Sequence, residues 1–403
     1  MAIISKTLTP NQILDYLNKN NINKSEAINI LFSLIEECNT GEMRAKFVEI
    51  FEKMDLKSKK SFNFIENLLI SDETPEVRIA AAKVLINIFP ANILNPLKWV
   101  IQNDNSVVVL RLLNKFIQNL NDPYNSTLRR ELLKRYEEIA SNYGVILKEA
   151  EFLMDMGLNQ SFYKDSPSNS LRNVIYGDNI IAIIKKKHIR AISISSWRPA
   201  SLPETINNLE KLKYLNLSCN ELKILPKSMD LLTRLNYLDL GWNNFTSIPS
   251  FFAKVKIVKN LRLDLNHNEI KSIPDWINKL KSLNYLNLRD NKIQSIPNSI
   301  GYLKNLQYLD LRENQIQHIP DSIGLINSLR ILWLNNNKIK SIPNSIGYLK
   351  FLKVLDLGNN EIQEIPESLC MLKSLEYLNL KNNQIKDIPH SINSLKNLKK
   401  LRI

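Results

Sequence analysis

Eight asparagines, Asn220, Asn243, Asn268, Asn291, Asn314, Asn337, Asn360 and Asn383, recur every 23 residues, except for a step of 25 between Asn243 and Asn268. From about Ile189 onward the chain repeats the unit L-x-x-L-x-L-x-x-N-x-I/L-x-x-I/L-P-x-x-I-x-x-L, as in Leu306, Leu309, Leu311, Asn314, Ile316, Ile319, Pro320, Ile323 and Ile326. The L-x-L alternation has the period of a strand that buries one face and presents the other. An inward-turned Asn amide both donates and accepts, so stacked copies satisfy the turn that ends each strand. The Ile-Pro pair fixes an extended residue followed by φ near −65°, which suits entry to a short helical segment. No single unit contains a core, so these residues are stable only as a stack of coils.

The pattern resembles the 23-residue Leu/Ile-Pro (Ras-group-like) class of leucine-rich repeats, found in Ras-pathway scaffolds and plant Ras-group relatives. The resemblance covers about Ile189 to Ile403 and implies an α/β solenoid, the leucine-rich-repeat horseshoe. It also implies a protein partner, with a small GTPase or a phosphatase suggested by analogy and signal transduction as the setting. Ile189, Ile192 and Ile194 form the first strand of the array, with Trp197 where the ladder Asn belongs. Upstream, Val174–Tyr176, Gly177–Asn179 and Ile180–Ile184 read as strand, turn and strand, a cap over the first coil. Leu398, Leu401 and Ile403 begin a further strand. Pro249 keeps its usual offset from Asn243, so the two extra residues lie between Pro249 and Asn268, near Ser250–Val258.

Residues 1–160 read as helices. Thr9-Pro10 and Ser25 are start signals, Pro75 opens another helix, and apolar runs of period 3.6 cover Ala27–Leu34, Phe62–Ile70, Val77–Ile88 and Val107–Leu120. Arg44, Arg78 and Arg111 are spaced 34 and 33 residues apart, with Asn39, Asp72 and Asp104 at the turns before them. Turn-Asp plus helix-Arg at this period resembles HEAT repeats, in which the two charges pair between stacked hairpins. The expected organisation is an all-α helical-repeat (HEAT-like) domain over 1–160, a linker over 161–173 with Ser/Pro/Asn composition, and the leucine-rich-repeat domain with its cap strands over 174–403.

The chain carries 54 basic and 40 acidic side chains, a formal charge of +14. Residues 1–180 hold 21 basic and 22 acidic groups, so the remaining 33 basic and 18 acidic ones place the whole excess in the repeats. Most of these lysines fall on loop or helical-segment positions and read as a solvated coat. Nucleic-acid or anionic-surface binding through the basic solenoid is the alternative function. A nucleic-acid groove would align Lys and Arg with stacking aromatics, whereas the strand columns carry Asp, so a nucleic-acid partner is disfavoured. Only 9 glycines occur and no phosphate-cradling Gly-rich motif is present, no His/Cys set has metal-ligand spacing, and no carboxylates converge. The reading is therefore of a non-catalytic protein without cofactor or metal. Three cysteines, an N-terminus lacking a signal-peptide pattern and no long apolar run indicate a cytoplasmic protein not inserted in a membrane.

The repeats serve as their own alignment. The third strand position reads Tyr214, Tyr237, Arg262, Tyr285, Tyr308, Ile331, Val354, Tyr377, and the fifth Asn216, Asp239, Asp264, Asn287, Asp310, Trp333, Asp356, Asn379. Trp333 stands alone in an Asn/Asp column, and an indole exposed on an open sheet points to something that covers it. Around it, Tyr285, Tyr308, Arg289, Arg312, Asp310, Glu313 and Asn335, with Trp242 and His267 further along, have the composition of a binding hot spot. These ten residues are the candidate partner-binding site on the concave face of a scaffold or adaptor.

Overall fold

The computed structural model describes residues 9–19, 21–104, 106–118, 125–156, 174–177, 179–196, 201–253 and 260–403. The chain divides into two compact units, Met1–Phe162 and Tyr163–Ile403. The linker expected over 161–173 and the first-coil Trp197 lie outside the described residues.

The N-terminal unit is helical: α1 Pro10–Asn18, α2 Lys24–Glu37, α3 Gly41–Lys53, α4 Lys59–Ser71, α5 Pro75–Ile88, α6 Leu94–Asn103, α7 Val107–Gln118, α8 Asn125–Tyr143 and α9 Leu147–Asp155. Local chemistry sets their starts. Pro75 occupies the first turn of α5, and Ser58 Oγ accepts the Ser61 N–H at the start of α4. The cap of α2 is Asn23 rather than Ser25: Asn23 accepts the Glu26 N–H while Glu26 accepts the Asn23 N–H, both at 2.9 Å. That reciprocal box satisfies two end groups at once, which a Ser two residues later could not do.

The turn aspartates and helix arginines meet across successive units. Arg44 pairs with Asp72 at 2.9 Å and also reaches Thr74. Arg78 grips Asp104 with two hydrogen bonds of 2.7 and 3.1 Å. Each arginine thus binds the aspartate of the following turn while donating to a carbonyl of its own, Cys38 for Arg44 and Asp72 for Arg78. The carboxylates of Asp72 and Asp104 also accept the N–H two residues on, from Thr74 and Ser106. Arg111 departs from this pattern and pairs with Asp155 at 2.8 Å.

The second unit is built on one sheet, with strands in chain order: β1 Val174–Gly177, β2 Ile180–Lys185, β3 His188–Ile194, β4 Tyr214–Asn216, β5 Tyr237–Asp239, β6 Leu261–Asp264, β7 Leu283–Asn287, β8 Tyr308–Asp310, β9 Ile331–Trp333, β10 Val354–Asp356, β11 Tyr377–Asn379 and β12 Lys400–Arg402. The first three are antiparallel, the expected cap hairpin followed by the first strand of the array. From β3 onward every pairing is parallel, Leu215 beside Leu238 and Leu309 beside Leu332, with a register shift between Leu261 and Arg262 where β6 meets β7. A 310 segment follows the Pro of each coil and stacks on its neighbours, for example Asn298–Tyr302, Asp321–Leu325 and Asn344–Tyr348. The repeat leucines and isoleucines fill the space between, Leu306, Leu309, Leu311, Ile316, Ile323 and Ile326 all being fully buried.

The asparagine ladder has the expected chemistry and a direction. Asn337 donates to the Leu311 carbonyl of the preceding coil at 2.9 Å and to Leu334 of its own at 3.0 Å, and accepts the Ile316 N–H of the preceding coil at 3.0 Å. Asn243, Asn268, Asn291, Asn314, Asn360 and Asn383 repeat this pattern. Close coil-to-coil approach explains the glycines at 301, 324 and 347. A Cβ on Gly324 would stand 2.3 Å from the Ser345 carbonyl oxygen, and the other two meet the same obstacle at 2.4 Å. Cys370 fills that slot in the next coil, where its sulfur accepts a hydrogen bond from Ser391.

Candidate functional site

The open face of the sheet is set by the strand alternation: leucines point into the core, and the third and fifth positions point away. The fifth-position carboxylates and amides have a structural duty. Asp239, Asp264, Asn287, Asp310, Asp356 and Asn379 each accept the backbone N–H two residues further on, at 2.9–3.1 Å, and so close the end of the strand. Trp333 has no acceptor to offer there, so its presence is not explained by the turn.

Trp333 is half-buried rather than exposed, because its neighbours reach over it. The Arg312 guanidinium lies 5.0 Å from the indole ring and Tyr377 stacks obliquely at 6.0 Å. Arg312 is itself held by Asp310, whose carboxylate accepts bonds from Nε at 2.9 and 3.0 Å, from Nη2, and from the Tyr308 hydroxyl at 3.1 Å. Asp310 is fully buried. It therefore presents nothing to a partner and acts by fixing Arg312, a correction to its place among the contact residues. Tyr308 stacks on Tyr285 at 4.3 Å, and Tyr285 carries Arg262 over its other side at 4.5 Å. Arg289 pairs with Glu313 at 2.8 Å, and Asn335 Oδ1 is buried without a hydrogen-bond partner. Tyr285, Tyr308, Arg312 and Trp333 thus make one connected surface over β7 to β9.

Trp242 and His267 form a separate pair. Their rings stack at 3.8 Å, and His267 Nδ1 lies 2.6 Å from Asp290. Both belong to a column that repeat alignment alone does not reveal. The residue before each ladder Asn has φ between 49° and 59°, namely Cys219, Trp242, His267, Asp290, Glu313, Asn336, Asn359 and Asn382, and Ser196 holds the same slot in the first coil. Asn, Asp and Ser tolerate this left-handed backbone, and their recurrence at one slot was the available signal. His visits this region more readily than most residues, whereas a Trp there costs roughly 1–2 kcal/mol. Trp242 is nevertheless 57% exposed.

The charge on this face runs opposite to that of the chain. Over β5 to β10 it carries the carboxylates of Asp239, Asp264, Asp290, Asp310, Glu313 and Asp356 against the guanidinium groups of Arg262, Arg289 and Arg312. Among the described residues, no Lys or Arg forms an ion pair with Asp239, Asp264 or Asp356. Burial, with a contribution from the neighbouring Asp264, raises the Asp239 carboxyl above its ordinary value. Burial also raises the Tyr285 phenol to about 12.

Comparison with known proteins agrees with this architecture. Leucine-rich-repeat family models match residues 188–245, 261–316 and 281–339, and a leucine-rich repeat region matches 325–403. The matches break between 245 and 261, where the repeat carries its two extra residues. The C-terminal part of this chain is a leucine-rich-repeat solenoid. Among solved structures, a leucine-rich-repeat protein of Leptospira interrogans is 32% identical, covering 51% of this chain and 64% of its own, with a TM-score of 0.40. An internalin of Listeria monocytogenes is 24% identical, with coverage of 54% and 61% and a TM-score of 0.47. The ectodomain of the Arabidopsis thaliana receptor kinase GASSHO1/SCHENGEN3, solved with Casparian strip integrity factor 2, is 26% identical, with coverage of 55% and 32% and a TM-score of 0.41. The matched region spans less than two thirds of each of these chains. No curated protein matches significantly.

Proposed function

We propose that this protein is a non-catalytic scaffold or adaptor whose open sheet face binds a cationic segment of a protein partner. The carrying observation is the inversion of charge: a chain of net charge +14 presents the carboxylates of Asp239, Asp264, Asp290 and Glu313 on this one face, with Asp310 and Asp356 buried behind them, against three guanidinium groups and beside stacked aromatics. Cations are attracted by such carboxylates and by the faces of Tyr and Trp rings, and Trp, Tyr and Arg are the residues that concentrate binding energy. Trp333 is the centre, with Tyr285, Tyr308 and Arg312 around it, Asp310 positioning Arg312, and Arg289, Glu313, Asn335, Trp242 and His267 along the rim. Helical-segment and loop lysines, rather than this face, hold the basic excess, which favours a protein over a nucleic acid.

The test is selection from a library of random immobilised peptides by the full-length chain. Enriched sequences carry a surplus of Lys and Arg, and Trp333→Ala weakens the best of them by about 2 kcal/mol, the hot-spot scale. Selection of acidic sequences, or equal affinity of the variant, contradicts the reading. Small GTPases and phosphatases, suggested by the repeat class, can be assayed directly in the same format. The HEAT-like reading of residues 1–160 and a cytoplasmic setting belong to this proposal. The Arg–Asp pairs between successive hairpins of the helical unit support the first, and three free cysteines support the second.

A further inference from the structure

The side of the coils that carries the 310 segments has its own ordered surface. Tyr302, Leu325, Tyr348 and Met371 occupy one slot in four successive coils, each the last residue of its 310 segment. All four are 46–59% exposed, and Phe351, three residues beyond Tyr348, is 59% exposed. A single exposed Leu or Tyr needs no explanation, but a row of five large apolar groups on adjoining coils does. Two residues after this slot stand Lys304, Lys350 and Lys373, with Lys281 and Lys396 at the same place in the coils to either side.

The charge of these five ammonium groups is not neutralised by carboxylates among the described residues. Lys304 donates to the Leu325 carbonyl, Lys373 to the Cys370 carbonyl and Ser394, and Lys281 lies 5.8 Å over the Tyr302 ring. Asp275, Asp321 and Glu367 are the acidic residues in the 310 segments of the six coils that span these five lysines, so cations outnumber carboxylates along the ridge.

We infer that this ridge docks on an anionic phospholipid surface. Aromatic and aliphatic tips at headgroup depth, flanked by lysines whose stems lie along apolar surface, are what an interfacial contact requires. Negative headgroups complement the five lysines. A protein partner fits less well. Interface cores favour Arg and deplete Lys, and every cation at this slot is Lys. The contact is peripheral, since no described helix is long and apolar enough to cross a membrane. It is independent of the open sheet face, and the two could be occupied together.

Sedimentation of the full-length chain with vesicles tests this. Vesicles containing about one-third phosphatidylserine in phosphatidylcholine bind at least about tenfold more tightly than phosphatidylcholine alone. The apolar pair Tyr348→Ser with Phe351→Ser, and the cationic pair Lys350→Gln with Lys373→Gln, each lower that binding about tenfold and leave thermal melting unchanged. Met371→Ser replaces the apolar pair if that pair melts early. Trp333→Ala binds vesicles as the parent does. Three results overturn the inference: no binding to anionic vesicles, equal binding to neutral ones, or sensitivity to the lysine pair with none to the apolar variants. The last would mark a diffuse attraction of the whole basic surface to any polyanion.

Discussion

The helical unit and the solenoid answer the same problem, how to join repeated pieces through polar groups in a dry interior, with opposite chemistry. In the helical unit the joints are full charges, Arg44 with Asp72 and Arg78 with Asp104, side chains no more than 13% exposed. In the solenoid they are neutral amides, one Asn per coil, each closing hydrogen bonds in its own coil and the one before. Buried charges are costly to desolvate and stabilise only with excellent geometry, whereas an amide that meets matching backbone groups has little to lose. The helical joint therefore fails hard when one partner is removed. The amide joint can be copied at every coil without accumulating charge, and the surface charge of the solenoid is left available for recognition.

The strongest way to break the comparison is Arg78→Ala. It leaves Asp104 charged and buried, and should destabilise the helical unit by about 3–5 kcal/mol. Hydrogen exchange resolved by peptide should show the loss over α5 to α7, with the β4–β12 amides unchanged. Asn337→Ala is the matching lesion in the solenoid. It leaves the Ile316 N–H without its acceptor, while the Leu311 and Leu334 carbonyls each lose one of two bonds and keep those from Asn314 and Asn360, at a cost of about 2 kcal/mol read from denaturant unfolding. Equal insensitivity of both variants would remove the distinction between the joints. Gly324→Ala sharpens the solenoid side: its methyl meets the Ser345 carbonyl, and a loss of about 2 kcal/mol is expected.

Two pH effects are smaller and opposite in sign. Lys399 and Lys353 hold the Glu376 carboxyl down to about 2. A depressed folded pKa contributes stability above the ordinary value near 4.5, which is lost as pH falls toward 2. Glu376→Gln should abolish that slope in a pH series of melting temperatures, and added salt should flatten it in the parent. Asp239 has a raised pKa, so its charge disfavours the folded state at neutral pH and the penalty fades as the group is protonated. Asp239→Asn should stabilise the chain slightly at pH 7 and not at all in strong acid. A cationic peptide bound to the open face should shrink that gain.

Sequence alone carried the solenoid far, because a 23-residue period makes every coil a measurement of the others. The strands, the ladder, the Pro-started segments and the cap hairpin could all be read from it. In the helical unit the spacing of Arg44, Arg78, Asp72 and Asp104 gave two of the ion pairs. Asp155, the partner of Arg111, was not legible, since it sits far along the chain at no repeated position. At the candidate site, sequence picked out Trp333 but not its half-buried state, which depends on how the Arg312 side chain folds back over the ring. It also counted Asp310 as a contact residue when the buried carboxylate is spent on Arg312 and Tyr308. Side-chain routes of this kind are three-dimensional and leave no period.

The direction of the asparagine ladder has a consequence for how the chain comes off the ribosome. The side chain of each Asn from Asn243 to Asn383 completes hydrogen bonds in its own coil and in the coil made before it. A newly emerged coil therefore carries open backbone groups until the Asn of the next has cleared the exit, one 23-residue period later. Assembly then resembles a zip drawn from its first tooth, with one unfinished coil always at the growing end. A pause in translation inside the array would hold that sticky coil in the open, so any protection the nascent chain needs is needed one coil at a time.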